Sequence, residues 1–157
     1  MSEQTGNNLD KYKQNTLILE TQLTAERGNW DGVIANLAGK VKGDIKYLYE
    51  VDADIISYKQ IITSEMGKYA MVIYKENRTM KSLVKTRFEW YSTKYQINLK
   101  SSGDKMKLIE ADVADVQYKI DVLDNHIDFL KGCGENLKQM SYAIKNRLEL
   151  LNILGVS

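Results

Sequence analysis

The chain has 157 residues, the length of one domain or of one domain plus an appended segment. Its 43% apolar and 27% charged residues are the balance of a soluble globular protein able to bury a sizeable core. It contains no proline, where average usage of about 5% gives roughly eight; this argues against a loop-rich or edge-strand-rich fold and suits long helices. The 22 basic and 21 acidic side chains leave a net charge of +1, and a single cysteine excludes an intramolecular disulfide framework and fits a reducing cytoplasm.

The opening MSEQTGNNLDK lacks the basic head and apolar run of a secretory signal. The longest unbroken apolar run, Ala70 to Tyr74, falls far short of the roughly 18 residues of a membrane span, so a cytoplasmic, non-membrane protein is expected. Leu9, Tyr12, Leu17, Leu19 and Leu23 stand among polar residues and predict a short amphipathic helix over about residues 9–26. Gly28, Gly32, Gly39 and Gly43 then read as punctuation. Residues 1–43 are accordingly expected to be an N-terminal extension, partly helical and mobile at its ends.

From Asp44, a candidate N-cap, the pattern turns helical. Ile45, Leu48, Val51, Ile55, Ile62, Met66, Tyr69 and Ile73 recur at helical spacings, and Met80, Leu83 and Tyr91 continue the stripe. The pattern predicts one helix followed by a second over about 64–97, with Gly67 costing it about 1 kcal/mol relative to alanine. The boundary between the two is not fixed by the pattern. Ser101-Ser102-Gly103-Asp104 reads as a turn.

The last third, 101–157, carries the clearest periodicity. With Val113 at position a, the a/d series is Val113, Val116, Ile120, Leu123, Ile127, Leu130, Gly134, Leu137, Ser141, Ile144, Leu148 and Leu151. Ten of the twelve are large and apolar, and the seven-residue register never breaks. Such a stripe demands a partner seam, from other helices of this chain or from copies of it. A second stripe, Val122, Phe129, Ala143 and Leu150, faces either the chain's own N-terminal helices or neighbouring subunits. Gly132-Cys133-Gly134 marks a hairpin, a hinge or a close approach of helices, and the preserved register favours a continuous helix. The expected fold is all-α: long helices, with the C-terminal heptad helix forming an oligomeric helical bundle or ring.

Charge is segregated. Residues 68–107 hold ten basic side chains against three acidic, whereas 44–67 and 108–157 are each net −3. At about 100° per residue, Lys75, Arg78, Lys81 and Lys85 share an arc of roughly 120°, while Arg87, Trp90 and Lys94 project to a different side. Phe88, Trp90, Tyr91 and Tyr95 are interleaved with these cations. Cations that track phosphates beside rings that stack on bases suit single-stranded nucleic acid; an acidic protein partner accounts for the same patch.

Catalytic constellations are missing. His126 and Cys133 are single in the chain and seven residues apart, about 10 Å along a helix, too far for a nucleophile–base pair. Asp121, Asp124 and Asp128 are expected to solvate His126 and stabilise its cation rather than to build a metal site. No phosphate-cradling glycine loop and no H-E-x-x-H occur. No enzyme activity, cofactor or metal is expected.

At Leu83 to Ser92 the sequence reads LVKTRFEWYS. This resembles the single-stranded-DNA-binding motif of the UvsY family, recombination mediators of large tailed phages, with Lys85, Arg87, Glu89, Trp90, Tyr91 and Ser92 at the motif positions. Trp90 stands where the family has tyrosine, and Thr93, Lys94 and Tyr95 follow where it has a glycine-containing basic loop. Ala111-Asp112, Asp128-Phe129, Gly132 to Gly134 and Tyr142 to Lys145 also fall in family order, so the resemblance covers roughly residues 44–157.

The resemblance implies a ring-shaped homo-oligomer of six or seven subunits in the cytoplasm of an infected bacterium. It implies binding of single-stranded DNA, loosening of the phage single-strand-binding protein and loading of a RecA-like phage recombinase. On this reading 44–100 is the DNA-binding region, with Lys75, Arg78, Lys81, Lys85, Arg87, Trp90, Tyr91 and Lys94 as contacts. Residues 101–157 are the oligomerisation region, with Val116, Ile120, Leu123, Ile127, Leu130, Leu137, Ile144 and Leu148 in the seam. The competing expectation is a helical oligomeric adaptor or structural protein that docks an acidic partner.

Overall fold

In a computed structural model the chain forms three long helices: α1 (Ser2–Val41), α2 (Leu48–Thr93) and α3 (Ser102–Ile153). A single 3-10 turn, Ile45–Tyr47, precedes α2. The structure describes residues 2–97, 99 and 101–155, with side chains from residue 8 onward; Lys100 of the basic segment lies outside them. Among the described residues there is no strand.

The expected short first helix is instead a 40-residue one that runs straight through Gly28, Gly32 and Gly39. The cause lies in the spacing of its buried positions. Thr16, Leu23, Trp30 and Leu37 recur every seven residues, so two strong anchors stand within the glycine-rich stretch. Each helical glycine costs about 1 kcal/mol, whereas burying Trp30 and Leu37 contributes roughly 1.5–3 kcal/mol apiece. The three glycines themselves sit on the open side, where an added Cβ would meet nothing within 4 Å. Only Gly43 acts as punctuation. Its amide bonds the Lys40 carbonyl at 3.0 Å, and a Cβ there would press on that same oxygen at 3.1 Å.

Asp44 caps the next element as expected, its side chain accepting from the Lys46 amide at 3.1 Å, although what it starts is the 3-10 turn. The two helices expected over 44–97 are one. Leu48, Val51, Ile55 and Ile62 are buried, and half-buried Tyr69, Ile73, Met80 and Val84 carry the stripe on without a break. Gly67 lies on the exposed side and interrupts nothing. After the connection, Ser101 forms the N-cap of α3. It accepts from the Asp104 amide at 3.1 Å and donates to the Asp104 carboxylate at 2.8 Å, so the expected turn at 101–104 is the first turn of the helix.

α3 is continuous through Gly132 to Gly134, and Gly134 marks a close approach: its Cβ position lies 4.0 Å from Ile62 of α2. Val113, Val116, Ile120, Leu123, Leu130, Leu137 and Ile144 are buried at their heptad positions. At two turns the residue before position a, His126 and Cys133, is buried in place of Ile127 and Gly134. Helices with two neighbours bury a flanking g position besides a and d, and these two residues occupy it.

The chain divides into two compact units, residues 1–18 with 69–125 and residues 19–68 with 126–157. Each therefore draws a stretch from all three helices. In the first, Glu76 of α2 is the node: Tyr12 of α1 donates to its Oε2 at 3.1 Å, and Lys119 of α3 pairs with its Oε1. Lys119 also lies 5.3 Å from the centre of the Tyr12 ring. Burial, then the Glu76 carboxylate, push the Tyr12 hydroxyl well above its ordinary range.

In the second unit Leu23, Trp30, Leu37, Leu48, Ile55, Leu130 and Leu137 form the buried core, and half-buried polar groups bond beside it. Trp30 donates to Glu65 at 3.2 Å and meets Tyr58 edge-on, and Ser141 donates to Asp52 at 2.8 Å. Arg147 closes α1 by donating to the Val41 carbonyl at 2.6 Å.

His126 is fully buried here, and this corrects the expected environment of aspartates on its own helix. Its Nδ1 accepts from Arg27 Nε at 3.4 Å, which leaves Nε2 to donate to Glu26 at 3.1 Å, while Phe129 stacks beside it. Asp121, Asp124 and Asp128 are exposed; Asp121 accepts from Gln117 and Asp128 pairs with Lys131. Desolvation lowers the His126 pKa; Glu26 and Glu65 oppose that shift and Arg27 reinforces it.

Because the folded pKa lies below the unfolded one, the resulting stability is complete above about pH 6.5 and is lost as pH falls through the folded value. Thermal unfolding should therefore show Tm dropping between about pH 7.5 and 5.5. The non-titrating variant His126→Gln should be less stable at the upper end and flat over that window. Equal slopes for the two proteins would exclude His126 as the source.

Candidate nucleic-acid interface

The second half of α2 presents the cations. Tyr69, Ile73, Glu76, Met80, Val84 and Tyr91 form its half-buried inner face, and this fixes which side chains point away. Lys75, Arg78, Lys81 and Lys85 are all exposed, and none is ion-paired with any described residue. Like charges at spacings of three and four repel on a helix by a few tenths of a kcal/mol per pair. Among the described residues the run is thus a strip without ion pairs, whose repulsion an anionic ligand would relieve.

The other four expected contacts behave differently. Arg87 and Tyr91 stand on the flank of α2 toward α3, Trp90 packs beside Tyr91, and Lys94 lies just past the end of the helix. Arg87 Nε lies 3.5 Å from Asp112 Oδ2, and the Tyr91 hydroxyl donates to the same oxygen at 2.8 Å. Burial and the Asp112 bond push the Tyr91 hydroxyl above its ordinary pKa. The rings of Trp90, Tyr91 and Tyr95 form a cluster with centroids 4.9, 5.2 and 5.0 Å apart. The Trp90 carbonyl accepts from the amides of Lys94 and Tyr95 and so closes the helix. Lys94 is exposed, and no described residue pairs with it.

Ser92, the last motif residue, accepts from Lys105 of α3 at 3.2 Å. Lys105 also sits 5.5 Å from the centre of the Phe88 ring. The motif is thus split between an outward cation, Lys85, and three groups that tie α2 to α3, Arg87, Tyr91 and Ser92. Sequence reasoning brought all eight residues to one helix but did not foresee Asp112, which lies 25 residues beyond Arg87. Two exposed aromatics on the cation side, Tyr74 and Phe88, were absent from the expected contacts.

A family model described as "Recombination, repair and ssDNA binding protein UvsY" matches residues 58–154, more than half of the chain and all of this surface. The chain belongs to the UvsY family. No curated protein and no solved structure matches it. Membership places it among proteins of recombination and repair that bind single-stranded DNA. The matched segment starts later than the expected residue 44. α1 and the first turns of α2 lie outside it, yet Leu23, Trp30, Leu37, Leu48, Val51 and Ile55 are core residues of this UvsY-family chain.

The heptad residues are also accounted for. Of the eight expected in an oligomer seam, Val116, Ile120, Leu123, Leu130, Leu137 and Ile144 are buried within the single chain, and Ile127 and Leu148 are half-buried. The second stripe is divided: Val122 and Phe129 are half-buried, whereas Ala143 and Leu150 are exposed. Among the described residues no helix is long and apolar enough to cross a membrane, and no cluster of His, Cys, Asp and Glu is placed to hold a metal ion. Burial pushes the Cys133 thiol up, away from nucleophilic character.

Proposed function

We propose that the protein is a non-catalytic recombination mediator that holds single-stranded DNA along α2. In this reading it loosens the phage single-strand-binding protein and promotes loading of a RecA-like recombinase in the cytoplasm of the infected host. The observation that carries the proposal is the run Lys75, Arg78, Lys81 and Lys85 inside the family segment, exposed and not ion-paired with any described residue. Four cations along one helix face match a flexible polyanion, which can follow their spacing without a preformed groove. Arg87 adds less, because Asp112 already takes part of its charge.

Assembly into a homo-oligomer of six or seven subunits belongs to the same proposal. Repetition of a weak strand contact around such an assembly raises avidity without new chemistry. Since one chain fills its own heptad stripe, we place the contact between copies on the last turn of α3 and the turn after it, where Leu150, Ile153 and Leu154 are exposed apolar residues.

Anisotropy of a labelled oligonucleotide across salt concentrations tests the DNA reading. Each phosphate contact on a single strand contributes a slope of about −0.7 in log K against log[salt], so four give a value near −3 per protomer. Oligomerisation without measurable DNA binding at about 0.1 M salt would favour the adaptor that docks an acidic protein.

A further inference from the structure

Tyr74, Arg78, Lys81, Lys85 and Phe88 fall within an arc of about 80° on α2 at 100° per residue. All five are exposed, Tyr74 at 65% and Phe88 at 39%. The order along the helix is ring, three cations, ring, over about 21 Å of rise. The motif rings are placed otherwise. Tyr91 points to the flank toward α3, with its hydroxyl anchored on Asp112, and meets Tyr95 edge to face; Trp90, itself 36% exposed, meets Tyr91 edge to face and Tyr95 at a tilt.

We infer that Tyr74 and Phe88, rather than Trp90 and Tyr91, are the base-stacking platforms for single-stranded DNA, one at each end of the Arg78–Lys81–Lys85 rail. The inference rests on the DNA-binding reading above and adds the subsite that reads the bases. A tyrosine this exposed on a helix face leaves apolar ring surface in water, and an unstacked base covers it at little cost in side-chain entropy. Lys105 lies on one face of Phe88, so the opposite face takes the base while Lys105 meets the adjoining phosphate. The 21 Å between the rings accommodates about six nucleotides at the 3.4 Å stacked spacing, and fewer when the bases are splayed.

The test compares the full-length chain with Tyr74→Ala, Tyr74→Phe, Phe88→Ala and Trp90→Ala by anisotropy, using an oligothymidylate and an abasic strand of equal length. Tyr74→Ala and Phe88→Ala are each expected to weaken oligothymidylate binding about 5- to 30-fold with an unchanged salt slope, since no phosphate contact is removed. Tyr74→Phe should bind within about twofold of the parent, because stacking does not use the hydroxyl, and Trp90→Ala should also stay close to it. On the abasic strand the Tyr74→Ala and Phe88→Ala losses should vanish, which an indirect effect through the helix would not produce. If the parent binds and both alanine variants match it, or if their losses persist on the abasic strand, the stacking assignment is overturned while the DNA-binding reading stands. If the parent itself does not bind, both fall.

Discussion

Replacing Arg78, Lys81 and Lys85 together with alanine is expected to lower affinity for single-stranded DNA by about two orders of magnitude near 0.1 M salt. The salt slope should flatten by about 2 at the same time, at about 0.7 per lost phosphate contact. The three side chains are exposed and unpaired with any described residue, so their removal leaves packing and ion pairs intact and should leave helical circular dichroism unchanged. Alanine raises helix propensity slightly and removes like-charge repulsion, which works in favour of the fold. Single changes should rank Lys85→Ala above Arg87→Ala, because Arg87 shares Asp112 with Tyr91 before any strand arrives. Unaltered affinity in the triple variant would remove this face of α2 from the binding site.

The second large effect concerns the heptad stripe. Leu137 is 0% exposed within one chain, so Leu137→Asp puts an unpaired carboxylate into an apolar core and also leaves a cavity. Either defect alone costs several kcal/mol against a typical total of about 5–15 kcal/mol, and the variant should lose most of its helical signal. Leu150→Asp, at a position 58% exposed, should keep the helical signal and lower the solution mass measured by light scattering. If Leu137→Asp stays helical and only its mass changes, the stripe is a seam between copies rather than the core of one chain. The pair of variants thus separates folding from assembly with two inexpensive measurements.

Much of α3 was legible beforehand. Its register from Val113 to Leu151 repeats in sevens, a local property of the chain that demands a helix whatever lies opposite, and Gly132 to Gly134 did not break it. The basic, aromatic-laced half of α2 was legible for the same reason, since charge and angular position along one helix are fixed by spacing. Tyr74 was within reach of that arithmetic, four residues before Arg78 and on the same stripe as Lys81 and Lys85. It stands at the end of an apolar run, Ala70 to Tyr74, weighed above only as a membrane span.

The errors share one physical origin. Gly28, Gly32 and Gly39 read as breaks because helix propensity is local, whereas the burial of Trp30 and Leu37 that overrides it is supplied by side chains distant in sequence. His126 was given the carboxylates on its own helix, while its actual partners, Glu26 and Arg27, are about a hundred residues away. Asp112 likewise reaches Arg87 and Tyr91 only because the chain turns back between α2 and α3.

The amino-acid order alone determined that this chain is helical, where its apolar stripes run and which segment carries the positive charge, because each follows from the 100° step between neighbours. Which stripe found which partner, whether a cation stayed free or met a carboxylate, and which rings faced water were decided only in the folded chain. Those outcomes depend on desolvation and contact between residues far apart in sequence, and the helical repeat holds no record of them.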